Sequence, residues 1–282
     1  MSIDPATTLG SIRLTVGDLD GMQDFYERAI GLRTLERDGD VVRLGARDGV
    51  PLVELVADPQ APPRPPRTTG LFHLALLVPS RAELARTVRR VVDAGQRFSG
   101  ASDHLVSEAM YLNDPEGNGI ELYRDRPRAE WTHEGENIAM ATIALDLDAV
   151  MAELPEGPDT GMAPETILGH VHLNVGDIAA AEAFYGGVLG FDVTVRGYPG
   201  ALFVSAGGYH HHLGLNTWNG ANAPAPPAGS RGLREFEVVL PDAPALGEVT
   251  ARIEAAGLET AQNGGVVSVS DLSGNRVALR AA

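Results

Sequence analysis

A segment near the start of the chain, LGSIRLTVGDLDGMQDFYERAIGLRTL (residues 9–35), returns as LGHVHLNVGDIAAAEAFYGGVLGFDVT (168–194) at a constant offset of 159 residues. Gly10 matches Gly169, Asp18 matches Asp177, Phe25-Tyr26 matches Phe184-Tyr185, and Gly31 matches Gly190. A chain written more than once must fold into units that repeat, and this constrains the architecture before any other feature. Each copy opens as a short alternating strand and meets an Asp suited to cap a helix. A helix follows with its apolar side at Leu19, Met22, Phe25, Tyr26 and Ile30, and a glycine stops it.

A looser pair of segments fills in the pattern. GLFHLALLVPS (70–80) aligns with GLREFEVVLPD (232–242), and NDPEGNGIELY (113–123) with SDLSGNRVALR (270–280). Proline-rich connectors, APPRPPR (61–67) and APAPPAG (223–229), stand at equivalent places. The fold is therefore expected to be α+β, with four strand–helix–strand–strand–strand units of about fifty residues each. Units one and two make a first domain over 8–126, and units three and four a second over 167–282. A linker over 127–166 carries ALDLDAVMAEL, which reads as one short helix.

Composition narrows the function. The 282 residues are 44% hydrophobic and 21% charged, an ordinary globular balance. A formal charge of −16 argues against nucleic acid or an anionic membrane surface as a partner. The absence of cysteine excludes disulfides, thiolate zinc sites and thiol nucleophiles. No apolar run approaches membrane-spanning length, and MSIDPATTLG lacks the features of an export signal, so a cytoplasmic protein is expected.

Four βαβββ modules resemble the vicinal-oxygen-chelate superfamily, which includes glyoxalase I and the type I extradiol dioxygenases. GNGIELYRDRP (117–127) and GGYHHHLGLNTW (207–218) look most like the two-domain catechol-2,3-dioxygenases. The resemblance implies that paired modules form half-barrel domains and close a cleft, with metal ligands drawn from the first and fourth strands of each module. The first-strand position falls on Ser11, His73, His170 and Glu235, and the fourth-strand position on Glu54, Glu121, Gly214 and Ala278. Pairing module two with three assembles His73, His170 and Glu121 and leaves Gly214 empty. That is the two-histidine, one-carboxylate set of non-haem Fe(II) enzymes. Pairing one with two would instead group Glu54, His73 and Glu121, nearer a glyoxalase-type site. The first pairing is favoured because it alone completes the dioxygenase triad.

The same likeness assigns the remaining groups. His211, in an HHxxxL context, matches the acid–base histidine, with His212 in reserve; His172 and His212 are expected to line the substrate pocket. Tyr111, ten residues before Glu121, matches a tyrosine that contacts the bound diphenol. His104 resembles another active-site histidine, although two extra residues separate it from Tyr111. Plainer roles exist for each: a hydrogen-bonded strand histidine, a core tyrosine, a surface histidine, an arginine-paired Glu54.

The expected cofactor is Fe(II), with Mn(II) as the alternative, and the expected partners are a small aromatic diol and O2. Homo-oligomers are common in such families. The activity implied is extradiol cleavage of catechol to 2-hydroxymuconate semialdehyde. Two other readings are a glyoxalase-type metal-dependent lyase or isomerase, and a small-molecule binding protein without chemistry.

Overall fold

A computed structural model describes residues 2–46, 49–135 and 137–282. The four modules appear in chain order. The first comprises β1 (Thr8–Val16), α1 (Leu19–Phe25), β2 (Arg33–Asp38), β3 (Val41–Gly45) and β4 (Pro51–Ala57). The second comprises β5 (Gly70–Leu77), α2 (Arg81–Asp93), β6 (Gly100–Asp103), β7 (Ser107–Asn113) and β8 (Gly119–Asp125). The join holds the short strands β9 (His133–Glu134), β10 (Asn137–Ile138) and β11 (Ile143–Ala144), then α3 (Leu147–Met151). The third module is β12 (Ile167–Asn174), α4 (Ile178–Glu182), β13 (Asp192–Val195), β14 (Ala201–Ser205) and β15 (Leu213–Asn216). The fourth is β16 (Gly232–Leu240), α5 (Ala243–Ala255), β17 (Ala261–Asn263), β18 (Val266–Ser270) and β19 (Arg276–Ala281).

Local chemistry explains where the helices begin. The side chains of Asp18, Ser80, Asp146, Asp177 and Asp242 each accept a hydrogen bond from a backbone N–H in the first turn. Each such cap is worth about 1 kcal/mol. The helices of modules one and three, α1 and α4, depart from the regular 3.6-residue period. After Phe25 and after Glu182 they widen into π-helical turns, Tyr26–Ile30 and Ala183–Val188. The carbonyl of Tyr26 takes the N–H of both Gly31 and Leu32 at 3.0 Å. Widening lets the adjacent rings of Phe25 and Tyr26, and of Phe184 and Tyr185, enter the core together. Gly31 ends the first of these at φ 89°, a left-handed conformation suited to glycine.

The modules join two by two, but not as sequence neighbours. One sheet runs β17-β18-β19-β16-β1-β4-β3-β2, so modules one and four share it. The other runs β11-β6-β7-β8-β5-β12-β15-β14-β13 and unites modules two and three. In both, antiparallel first strands form the seam, β1 with β16 and β5 with β12. Each first strand is also parallel to the fourth strand of its own module. First and fourth strands therefore lie at the middle of each curled sheet. The pairing of one with two is not formed: each sheet takes one module from either side of the 127–166 join.

The two sheets are tied to each other by matching turns. Tyr26 of module one donates to Asp114 of module two at 3.3 Å, and Tyr185 of module three donates to Asp271 of module four at 3.1 Å. A continuous apolar core contains residues of both sheets and of the helices. Among the described residues, no helix is long and apolar enough to cross a membrane.

Candidate metal centre

The seam between β5 and β12 positions the site. His172 lies opposite His73, and His170 opposite Ala75. The seam thus relates its two strands by a local two-fold, which exchanges His73 with His170 and Ala75 with His172. Parallel β8 places Glu121 beside Ala75. Three side chains converge as a result. His73 Nε2 is 2.9 Å and His170 Nε2 is 3.1 Å from the same Glu121 Oε2, and the two Nε2 atoms are 3.3 Å apart. All three residues are buried, with potential ligand atoms within 4.8 Å of one another.

The electrostatics suit a cation. Burial pushes the His170 pKa down from 6.5 to about 4, against the pull of Glu121, so the ring is neutral with a lone pair to offer. Burial alone would raise the Glu121 carboxyl; His170 and His73 outweigh it and hold the group well below the usual carboxylate range. Two imidazole nitrogens and one ionised oxygen crowded onto one point make a donor set suited to a divalent metal. His170 Nδ1 is buried with no partner.

Around this point lies a cavity of about 370 Å³. Its polar wall carries His104, Tyr111 and His211, and its apolar wall Phe72, Tyr198, Phe203 and Trp218. Tyr111 stands opposite Glu121 in the β7–β8 hairpin. Burial, then the Glu121 charge, raises its pKa well above 10, so the phenol stays protonated. His104 sits where the chain turns between β6 and β7. Its Nδ1 is 2.7 Å from the Ala141 carbonyl and its Nε2 is 2.6 Å from the Tyr111 hydroxyl. A carbonyl only accepts, so Nδ1 carries a hydrogen, and a ring with its one hydrogen there takes the Tyr111 hydrogen on Nε2. The two extra residues in the sequence do not take His104 away from Tyr111.

His211 lines the cavity with its ring centroid 4.2 Å from that of His170. His172 also lines it, 4.9 Å from His73 by the same measure. Its depth depends on Gly214: a Cβ there would fall 2.8 Å from the His172 ring. The fourth-strand position of module three is thus taken up by an imidazole from the neighbouring strand.

His212 is a correction. It was expected to line the pocket, but faces away from it, with its Nδ1 accepting from Ala206 N–H at 3.2 Å and 2.9 Å from Ser205 Oγ. Residues 209–212 precede β15 and are not strand, so side chains there do not alternate. His210 instead turns inward, its Nε2 2.9 Å from Asp125 Oδ1. Asp125 and His210 escaped the sequence reading. Strand alternation offered the signal for Asp125, since Glu121, Tyr123 and Asp125 share a face of β8.

The equivalent place in the other sheet is filled by ion pairs. Glu54 accepts from Arg13 at 3.1 Å, Arg43 at 3.3 Å and Ser11 Oγ at 3.0 Å, while Glu235 meets Arg13 and Arg276 at 2.6 and 3.2 Å. Glu54 therefore has the arginine partners of its plainer reading, and a site combining Glu54, His73 and Glu121 is not assembled.

Comparison with known proteins agrees with this layout. The model of the Glyoxalase/Bleomycin resistance protein/Dioxygenase superfamily matches residues 8–122 and 167–279. A catechol-2,3-dioxygenase of Bacillus subtilis (strain 168) is 44% identical over 91% of this chain and 90% of its own length. A biphenyl-2,3-diol 1,2-dioxygenase of Rhodococcus globerulus is 27% identical over 44% of this chain and 66% of its own. The crystal structure of glyoxalase I from Zea mays shares the fold with a TM-score of 0.60 at 17% identity, covering 97% of this chain and 92% of that one. On these grounds the chain belongs to the glyoxalase/bleomycin resistance protein/dioxygenase superfamily, as a homologue of the Bacillus catechol-2,3-dioxygenase.

Proposed function

We propose that the protein is an extradiol ring-cleaving dioxygenase that converts catechol and O2 to 2-hydroxymuconate semialdehyde, with both oxygen atoms retained in the product. The observation that carries this reading is the convergence of His73, His170 and Glu121 inside a cavity that Tyr111, His104, His172 and His211 also line. The relation to the Bacillus catechol-2,3-dioxygenase supports the substrate class.

His73, His170 and Glu121 would hold Fe(II). Ferrous iron there would acidify a bound diol and pass electrons between it and O2. The chain's own groups do the rest. Tyr111, its hydrogen committed to His104, presents its oxygen lone pairs to a diol hydroxyl. His211 takes a proton from the diol and returns one as the ring opens. Phe72, Phe203 and Trp218 enclose the ring and exclude water.

Anaerobically iron-loaded protein, given catechol in an oxygen electrode, should consume one O2 per catechol and yield a yellow product. His170→Ala should lose both iron retention and turnover. Absence of oxygen uptake by iron-replete protein would overturn the assignment. Turnover of a thiol adduct instead would favour the lyase or isomerase reading, and saturable binding alone a carrier.

A further inference from the structure

A line of hydrogen bonds leaves the cavity behind His211 and ends on Asp125. His211 Nδ1 is 2.7 Å from His210 Nδ1, and His210 Nε2 is 2.9 Å from Asp125 Oδ1. Tyr209 donates to the same carboxylate oxygen at 3.2 Å, and its hydroxyl is 2.8 Å from that of Tyr123. His210 is fully buried, with ring centroids of Tyr209 at 4.0 Å and Trp131 at 5.3 Å, so it has little freedom to turn.

For neutral rings these contacts admit one arrangement of hydrogens. A carboxylate only accepts, so His210 carries its hydrogen on Nε2. Its Nδ1 then has a lone pair and must accept, so the hydrogen between the rings belongs to His211 Nδ1. That leaves the lone pair of His211 on Nε2. Among the described residues, no group is hydrogen-bonded to that atom.

We propose that Asp125 and His210 are positioning residues that hold His211 as its Nδ1–H tautomer, so that Nε2 meets the substrate as a proton acceptor. The inference rests on the reading of His211 as the proton-moving group. An imidazole left to itself in water favours the hydrogen on Nε2, the form that could not accept there. The second histidine and the carboxylate correct this preference before substrate arrives, as outer partners do for a ring that must present one chosen nitrogen.

The test begins on metal-free, full-length protein with nitrogen-15 in its histidines. Long-range proton–nitrogen correlation at neutral pH should show His211 protonated on Nδ1 and His210 on Nε2. Asp125→Leu should move the His211 hydrogen toward Nε2. In the iron-loaded enzyme it should lower kcat by about 10- to 100-fold, with KM for catechol and iron content within about twofold of wild type. His210→Gln, whose carbonyl can accept from His211, should retain more activity than His210→Phe.

Wild-type His211 protonated on Nε2 would overturn the proposal. So would an unchanged kcat in Asp125→Leu, or kcat, KM and iron content all worsening together. If Asp125→Leu does not fold, the wild-type spectrum and the His210 pair still decide. Catechol cleavage with the wrong tautomer would refute this inference alone, whereas the expected tautomers without cleavage would refute the assigned reaction.

Discussion

Gly214 shows how one missing side chain sets a site. Its backbone conformation is not the issue; space is. An alanine Cβ would stand 2.8 Å from two carbons and 3.0 Å from Nδ1 of the His172 ring, tighter than packed atoms tolerate. Gly214→Ala should therefore cost about 1–3 kcal/mol, the range for overpacking, and should push His172 into the cavity, raising KM for catechol. Denaturant melts of the single variants and of Gly214→Ala/His172→Ala check this. The second change should recover most of the loss, because the two residues are in contact; additive losses would show that the clash is relieved elsewhere. At this scale the convergence of the candidate ligands was legible, since His73 and His170 occupy one repeat position and Glu121 sits between apolar neighbours. The pairing of His210 with Asp125 was not, because residues 209–212 are not strand, so neither alternation nor a repeat position told which way His210 turns.

Among elements, the turns after β7 and β18 bind modules within each half of the chain. Asp114 accepts from the N–H groups of Glu116 and Asn118 at 3.0 and 2.8 Å, from the Asn118 amide at 2.8 Å and from Tyr26. Asp271 repeats the pattern with Ser273, Asn275 and Tyr185. Burial outweighs these donors at Asp114 and raises its pKa from 3.8 to about 6. A carboxyl whose folded pKa exceeds its unfolded value stabilises the fold below about pH 4, and that contribution is lost as pH rises through about 6. The full effect is about 3 kcal/mol. His170, depressed to about 4 from 6.5, slopes the other way over the same window, so a comparison of variants is needed. Asp114→Asn cannot ionise. Relative to wild type it should gain stability steadily between pH 4 and pH 7 in urea unfolding of metal-free protein, and parallel curves would refute the assignment. The repeated Asp-to-glycine frame of the helices was readable in the sequence, but the π-helical turns were not. Two adjacent aromatic rings buried side by side were their only sign.

For the whole molecule, the repeat foretold four modules, and the ligand positions chose between pairings. The halves read along the chain are not the halves built by the sheets, because a strand finds its partner in space rather than in order. Charge follows a different logic. The chain carries −16 and has no lysine; all its cationic side chains beyond histidine are arginines. Arginine clusters fill the place in the modules one–four sheet that the metal triad holds in the other, whereas among the described residues no arginine lines the cavity beside Glu121. A ring carboxylate would thus enter without a partner. Iron held at Glu121 would cancel that residue's charge, so the obstacle is desolvation: a carboxylate leaving water with no cationic side chain to pair with loses about 2 kcal/mol or more. The apolar wall offers Phe72, Phe203 and Trp218 to a neutral group in the same place. Accordingly kcat/KM for 4-methylcatechol should lie within about tenfold of catechol, while 3,4-dihydroxybenzoate should fall at least tenfold below both, as a loss of 2 kcal/mol implies. Steady-state oxygen uptake with the three compounds measures this directly. Equal efficiency for the carboxylated ring would mean that a cationic side chain reaches the cavity during turnover, and that its wall is not the neutral surface described.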